Sequence, residues 1–365
     1  MKTTHILASL LFFAGASILR AQGAPGSQNH PPVVNKDLSV TFTIDEPAAT
    51  EVRFFGDVGV GAGVLPPFTK SSDTGFWTYT TPPLDPGTYH YSFLVDGVLT
   101  PDPSNARQRD WRNFIPWVSI VEVRGPDPFL YDPNPKVAHG KVHIETFVST
   151  VLKGCVPLYV YTPPGYDTSG KQYPVLYLLH GTGGTASQWS SDGRMEHLAD
   201  NLIAAGRMPE MILVSPDANI PGNSLPLFDQ YLMQELLPFI DQNYRTVATA
   251  QGRGIIGQSR GGNQAFHSVL KHPDMFSSLG IFHNALPALA TQTYDSLKDP
   301  AALGQMVPLI VMNAAQDDTL VSLQSVMDAH NKLVQGGVAH TFQVLNGDHS
   351  WFNFRREFVD FVGRL

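Results

Sequence analysis

Ser259 lies between glycines in Gly257-Gln258-Ser259-Arg260-Gly261-Gly262, directly after the apolar pair Ile255-Ile256. A strand-to-helix turn sharp enough to project its central side chain leaves no room for neighbouring Cβ atoms, so Gly257 and Gly261 have a steric cause. A serine hydroxyl is a weak nucleophile until a base takes its proton. Of the 13 histidines, those beyond the apolar run at 308–314 are His330, His340 and His349. His330 falls in a helical pattern and His340 begins the last strand-like run. His349 sits in the loop NGDHSW just after that run, where an imidazole can reach over a sheet edge, and it is the expected base. The acid that orients it should follow the preceding strand, where Asp317 and Asp318 stand side by side. Asp318 precedes Thr319 and a helical pattern, which suits an N-cap. Asp317 has no such employment and is the expected acid. Acyl transfer also needs donors for a tetrahedral oxyanion. The Arg260 N–H at the helix start is one candidate. The Thr182 N–H, in the loop HGTGG from His180 to Gly184, is the other. That loop lacks the lysine of a phosphate-binding P-loop and a complete G-x-G-x-x-G. Trp351, Trp189 and His283 lie near these loops in the chain and are expected to line the substrate cleft, with Asn284 beside them.

Such a constellation needs a scaffold that brings strand ends together. From 138 to 365, strand-like runs (KVHIETFVST, VPLYVYT, PVLYLLHG, EMILVSPD, RGIIGQS, SLGIFHN, PLIVMNA, HTFQVLNG) alternate, from the third onward, with amphipathic stretches. In one of these, Phe228, Leu232, Leu236 and Ile240 recur every four residues and share a helical face. Apolar strands separated by helices predict an α/β fold with a mainly parallel eight-stranded sheet covered on both sides, its first two strands an antiparallel entry. Ligands bind such sheets beyond the carboxyl ends of the strands, where Ser259, Asp317 and His349 all fall. Residues 30–125 read differently. Val40, Phe42 and Ile44 alternate, as do Tyr89, Tyr91, Phe93 and Val95 before a turn at Asp96-Gly97, which predicts an immunoglobulin-like antiparallel β-sandwich. Trp77, Trp111 and Trp117 there could stack on sugar rings, although packing is the commoner use of such rings. Residues 126–137, rich in proline, read as a stiff linker.

The chain of 365 residues suits two folded units. Lys2, the apolar run Ile6 to Leu19 and the small residues that follow have the pattern of a secretory signal peptide over 1–22, so a secreted or periplasmic protein is expected. Losing Lys2 and Arg20 would move the formal charge from −8 to −10. That balance argues against nucleic acid or an anionic membrane surface as partner. The single cysteine, Cys155, excludes an intramolecular disulfide and cysteine-rich metal sites. No H-E-x-x-H occurs, and the proposed chemistry requires neither metal nor cofactor.

HGTGG, GQSRGG, the Asp317 loop and GDHSW, with VYTPPGYD (160–167) and DNLIAAG (200–206), resemble carbohydrate esterase family 1. This is the esterase D-like group of α/β-hydrolases that contains feruloyl and acetylxylan esterases. The resemblance spans about 138–363. VRFFGDV, PLDPGTYHYSFLVDG and DPSN make the N-terminal sandwich similar to the early-set, glycogen-binding-like module that often precedes such esterases. The resemblance implies a serine esterase that removes feruloyl or acetyl groups from plant cell-wall xylan, with Ser259, His349 and Asp317 as its triad. Two departures stand out: NAAQDD has alanines where the family commonly has a glycine before its acid, and Arg260 replaces an apolar residue. Siderophore esterases of the enterochelin type and mycolyltransferase-like acyltransferases have related architectures and are alternatives. A binding protein with a vestigial site is another, against which no triad position is lost.

Overall fold

The computed structural model describes residues 30–56, 66–111, 115–124 and 130–365, with the side chains of 109–117 left aside. The expected signal peptide, the first part of the expected linker, and the side chains of Trp111 and Trp117 therefore lie outside the described residues.

Eight strands form the central sheet, numbered here β1 (Lys141–Ser149), β2 (Gly154–Thr162), β3 (Val175–Leu179), β4 (Ile212–Pro216), β5 (Arg253–Gln258), β6 (Ser278–Phe282), β7 (Leu309–Ala315) and β8 (Thr341–Leu345). Their order is β1-β2-β4-β3-β5-β6-β7-β8. β1 and β2 are antiparallel and β3 to β8 are parallel, as the apolar runs predict. Strands β3, β4, β5 and β6 are buried along their whole length because both faces are covered. Alternate residues divide between two cores: Val175, Tyr177 and Leu179 face one, while Leu176 and Leu178 face the other.

Four helices matter for the site: α1 (Met195–Ala204), α2 (Arg260–Lys271), α3 (Leu323–Gln335) and α4 (Trp351–Val362). A further helical stretch runs from Leu225 to Asn243, and its Phe228, Leu232, Leu236 and Ile240 are fully buried. In a regular α-helix, steps of four residues drift by about 40° each, so four such residues would spiral off the core. A π-helical turn over Leu232–Leu236, just before Pro238, widens the helix and keeps the row facing inward.

The N-terminal region forms two antiparallel sheets. Strands Val40–Ile44 and Trp77–Thr80 pair in one, and Val52–Gly56, Gly87–Val95 and Ile115–Val123 pair in the other. Val40, Phe42, Ile44, Tyr91 and Phe93 fill the space between them. Asp102 accepts a hydrogen bond from the Tyr91 hydroxyl, and Asn105 donates to that same hydroxyl, so the DPSN segment packs inside this unit. Trp77 is buried, with its indole N–H donated to the Glu46 carbonyl. After the undescribed residues 125–129, Tyr131 is buried under the Arg355 guanidinium, 3.9 Å from its ring centre, so this part of the connection is docked. No helix among the described residues is long and apolar enough to cross a membrane.

Candidate active site

β5 ends at Gln258 and α2 begins at Arg260, leaving Ser259 alone at the turn with φ 52° and ψ −127°. A non-glycine residue is rarely held in this region, and such strain concentrates at functional sites. The glycines explain how the turn closes. A Cβ at Gly257 would lie 2.1 Å from the Gly261 carbonyl carbon, and one at Gly261 would lie 2.7 Å from the carbonyl oxygens of Leu179 and His180. The turn is held by the Ser259 N–H donated to the Phe282 carbonyl (2.8 Å) and by the Asn284 amide donated to the Ser259 carbonyl (2.8 Å). Ser259 is half-buried, and its hydroxyl makes no hydrogen bond to another described residue.

The expected oxyanion loop lies against this turn, since a Cβ at Gly181 would come within 3.0 Å of the Ser259 Cβ. Arg260 is the first residue of α2, so its N–H has no intrahelical acceptor. Thr182 is exposed in the loop beside it. The buried His180 fixes the loop from behind: Nδ1 donates to the Gly181 carbonyl (2.8 Å), and Nε2 accepts the Ala218 N–H (2.9 Å). The Arg260 side chain, the departure noted in the sequence, turns back over the same loops. It donates to the Asn219 and Asn223 side-chain oxygens (2.9 and 3.0 Å) and to the Gly181 and Ala218 carbonyls (both 3.3 Å).

The structure corrects the choice of acid. His349 Nδ1 donates to Asp318 Oδ2 at 2.7 Å, and Asp317 is exposed. The Asp317 N–H bonds the Gly347 carbonyl (2.9 Å), which ties the loop after β7 to the loop after β8 and leaves the Asp317 side chain in solvent. The next residue therefore turns inward. Asp318 is also no helix cap, because α3 starts at Leu323 with Ser322 as its N-cap. Asp318 Oδ1 instead accepts the N–H groups of Leu320 and Val321, both at 2.8 Å. Burial alone would raise this carboxyl. Bonds from His283, His349 and Val321 outweigh it and hold the carboxyl well below the usual carboxylate range. His349 is left with Nε2 uncommitted among the described residues.

Two further expectations are corrected. Trp189 and Trp351 do not line an open cleft: they are 0 % and 5 % exposed and pack edge to face, with ring centres 5.1 Å apart. They anchor α4 to the sheet together with Phe358. His283 is likewise fully buried, so it cannot touch a substrate. Its Nδ1 faces Asp318 Oδ2 at 3.1 Å and its Nε2 faces Glu357 Oε1 at 2.7 Å. His283, Asp318 and His349 each offer an atom within 4.8 Å of the others, a spacing that could suit a cation. Both His283 nitrogens already point at carboxylates, so hydrogen bonding accounts for the cluster. Glu357 had no signal in the sequence, being one of four charged residues in an amphipathic helix.

A family model described as "Putative esterase" matches residues 149–365. The chain belongs to this esterase family. An endo-1,4-beta-xylanase/feruloyl esterase of Xylanibacter ruminicola is 31% identical over 297 residues, covering 76% of this chain and 39% of the relative. An esterase of Mycobacterium tuberculosis is 35% identical over 314 residues, covering 74% of this chain and 65% of that protein. The chain thus spans about two fifths of the length of the first of these relatives. Among solved structures, a ferulic acid esterase superposes with a TM-score of 0.55 at 26% identity, covering 62% of this chain and 99% of that one. The enterobactin esterase of Shigella flexneri superposes with a TM-score of 0.64 over 89% of this chain and 92% of that one, at 18% identity, a likeness of fold alone.

Proposed function

We propose that this protein is a secreted serine esterase that removes feruloyl or acetyl groups from xylan through an acyl-enzyme on Ser259. The observation that carries the chemistry is the strained serine turn packed against a glycine loop, with His349 tied to Asp318 on the neighbouring strand ends. Ser259 Oγ attacks the ester carbonyl carbon while its proton passes to His349 Nε2. Asp318 holds the Nδ1–H tautomer and faces the imidazolium that forms. The N–H groups of Arg260 and Thr182 stabilise the oxyanion. The alkoxy group then leaves with the proton from His349. Water attacks the acyl-enzyme and gives its proton to His349, which passes it to Ser259 Oγ as the acyl–oxygen bond breaks and the carboxylic acid departs.

The substrate class is supported by the Xylanibacter relative, whose similarity covers a larger share of this chain than the sheet-bearing unit alone and so extends into the N-terminal sandwich. One observation favours a second reading: the enterobactin esterase superposes on both units of this chain. Hydrolysis of methyl ferulate, acetylated xylan and a catecholate siderophore by purified protein separates the two. Preference for the first or second substrate by at least about tenfold in kcat/KM is expected. Preference for the siderophore would overturn the xylan assignment. No labelling by a fluorophosphonate probe would overturn the serine mechanism itself.

A further inference from the structure

Behind the three side chains of the relay, two more ionisable groups are buried. His283 and Glu357 are both 0 % exposed and joined at 2.7 Å, and His283 touches Asp318 on its other side. The arrangement is therefore a row: Glu357, His283, Asp318, His349. Asp318 Oδ2 is shared by two imidazoles, while its Oδ1 takes two backbone N–H groups, so the carboxylate is saturated and fixed in orientation. An ionised carboxylate only accepts hydrogen bonds. With both carboxylates ionised, His283 donates from both nitrogens and carries a positive charge.

Packing alone does not explain the row. A buried ion pair adds little net stability compared with apolar residues of the same volume. Among the described residues Glu357 Oε2 has no hydrogen-bond partner. His283 is also held at φ 50°, a strained backbone conformation, with its N–H fixed to the Asn313 carbonyl.

We infer that His283 and Glu357 are positioning residues of the esterase site, holding Asp318 in place and balancing its charge so that together they set the pH at which His349 exchanges its proton. This rests on reading Ser259, His349 and Asp318 as the catalytic relay. The sign of each effect follows from the charges. The His283 imidazolium, whose ring centre lies 5.4 Å from that of His349, offsets the Asp318 carboxylate. Glu357 offsets His283 in turn. Burial disfavours the His283 charge, but the Glu357 carboxylate and the bond to Asp318 outweigh it and push the imidazole up to about 9. Burial pushes the Glu357 carboxyl up, and His283 pulls it back. The remaining neighbours are the Phe354 ring and, on the Glu357 side, the Arg356 charge.

The test is the pH profile of kcat/KM with 4-nitrophenyl acetate for the full chain and two variants. In His283→Gln the positive charge is gone, so the acid limb should move up by about one pH unit. In Glu357→Gln the carboxylate that holds the His283 charge is gone, so the limb should move in the same direction, by less. Shifts of the limb in one direction, graded between the two variants, are a signature that loss of packing would not produce. Acid limbs that coincide with wild type in both variants would overturn the inference, however far activity or Tm falls. Should a variant fail to fold, proton NMR of the 15N-histidine-labelled wild type still decides. Two low-field ring N–H signals from one buried imidazolium should persist at pH 8, and a single N–H on His283 would overturn it. If the wild type hydrolyses no ester and a fluorophosphonate leaves Ser259 unlabelled, the catalytic reading fails, and the NMR result then speaks only to the charge of His283.

Discussion

Helix α4 carries two fully buried charges two positions apart, and they serve different parts of the molecule. Arg355 and Glu357 are 1 % and 0 % exposed. Two positions on a helix are about 200° apart, so the side chains leave on nearly opposite sides. Arg355 points to the N-terminal sandwich and donates to both oxygens of its Glu122 (2.6 and 3.3 Å), while its Nε donates to the Asp192 carbonyl of the sheet-bearing unit (2.8 Å). Glu122 is reinforced by Thr88 and Arg107, and nearby His90 bonds Asp192. Coulombic attraction and hydrogen bonding from Arg355 overcome burial and keep the Glu122 carboxyl below its ordinary range. Glu357 points the other way, to His283 and the relay, and leaves one oxygen without a partner. One cluster is saturated and joins two units. The other leaves Glu357 Oε2 without a partner among the described residues, beside the proposed relay.

The comparison can be broken at either end. The largest effect should come from the relay. Asp318→Asn keeps the volume but favours the wrong His349 tautomer, and kcat should fall by about 10⁴; because the buried His283 also loses a carboxylate, Tm should fall as well. Steady-state kinetics beside a thermal melt checks this, and a fall below tenfold would remove Asp318 from the relay. At the interface the effects should be reversed. Arg355→Met strands the buried Glu122 and Asp192 groups and should cost about 3–5 kcal/mol in denaturant unfolding, with kcat of the folded protein within about threefold of wild type. A smaller effect is linked to pH. His283 has its pKa raised in the folded state, so its contribution is full below about 6.5 and is lost as pH rises towards about 9. Chemical unfolding from pH 6.5 to 9 should show a decline in stability that is reduced in His283→Gln; equal slopes would detach His283 from the charged row. The smallest effect should be Asp317→Asn, whose side chain faces solvent. Its kcat/KM is expected within about twofold of wild type, and a loss comparable to that of Asp318→Asn would restore it as the acid.

What the sequence made legible follows from sterics and periodicity. The serine turn was readable because Gly257 and Gly261 meet backbone within 2.7 Å, a constraint carried by residue type alone. The sheet was readable because its central parallel strands, β3 to β6, are buried on both faces. The choice between Asp317 and Asp318 was not, because it depends on one backbone bond, Asp317 N–H to Gly347, between loops 30 residues apart. Capping and orienting also turned out not to compete, since Asp318 uses one oxygen for the turn at Leu320 and Val321 and the other for His349. Trp189 and Trp351 stand near the site in the chain, but chain proximity does not say on which side of a helix a ring leaves. Arg355 and Glu357 were invisible because a charged residue in an amphipathic helix reads as solvent-facing. Only partners such as Glu122 and His283, distant in the chain, make their burial tolerable.

The central claim is an acyl group carried on Ser259 Oγ. Acid-quenched mass spectrometry after mixing with a slowly deacylating 4-nitrophenyl ester tests it most directly. One acyl adduct on the peptide containing Ser259, absent in Ser259→Ala, is the predicted result. Turnover by Ser259→Ala equal to wild type, with no adduct on that peptide in either protein, would contradict it.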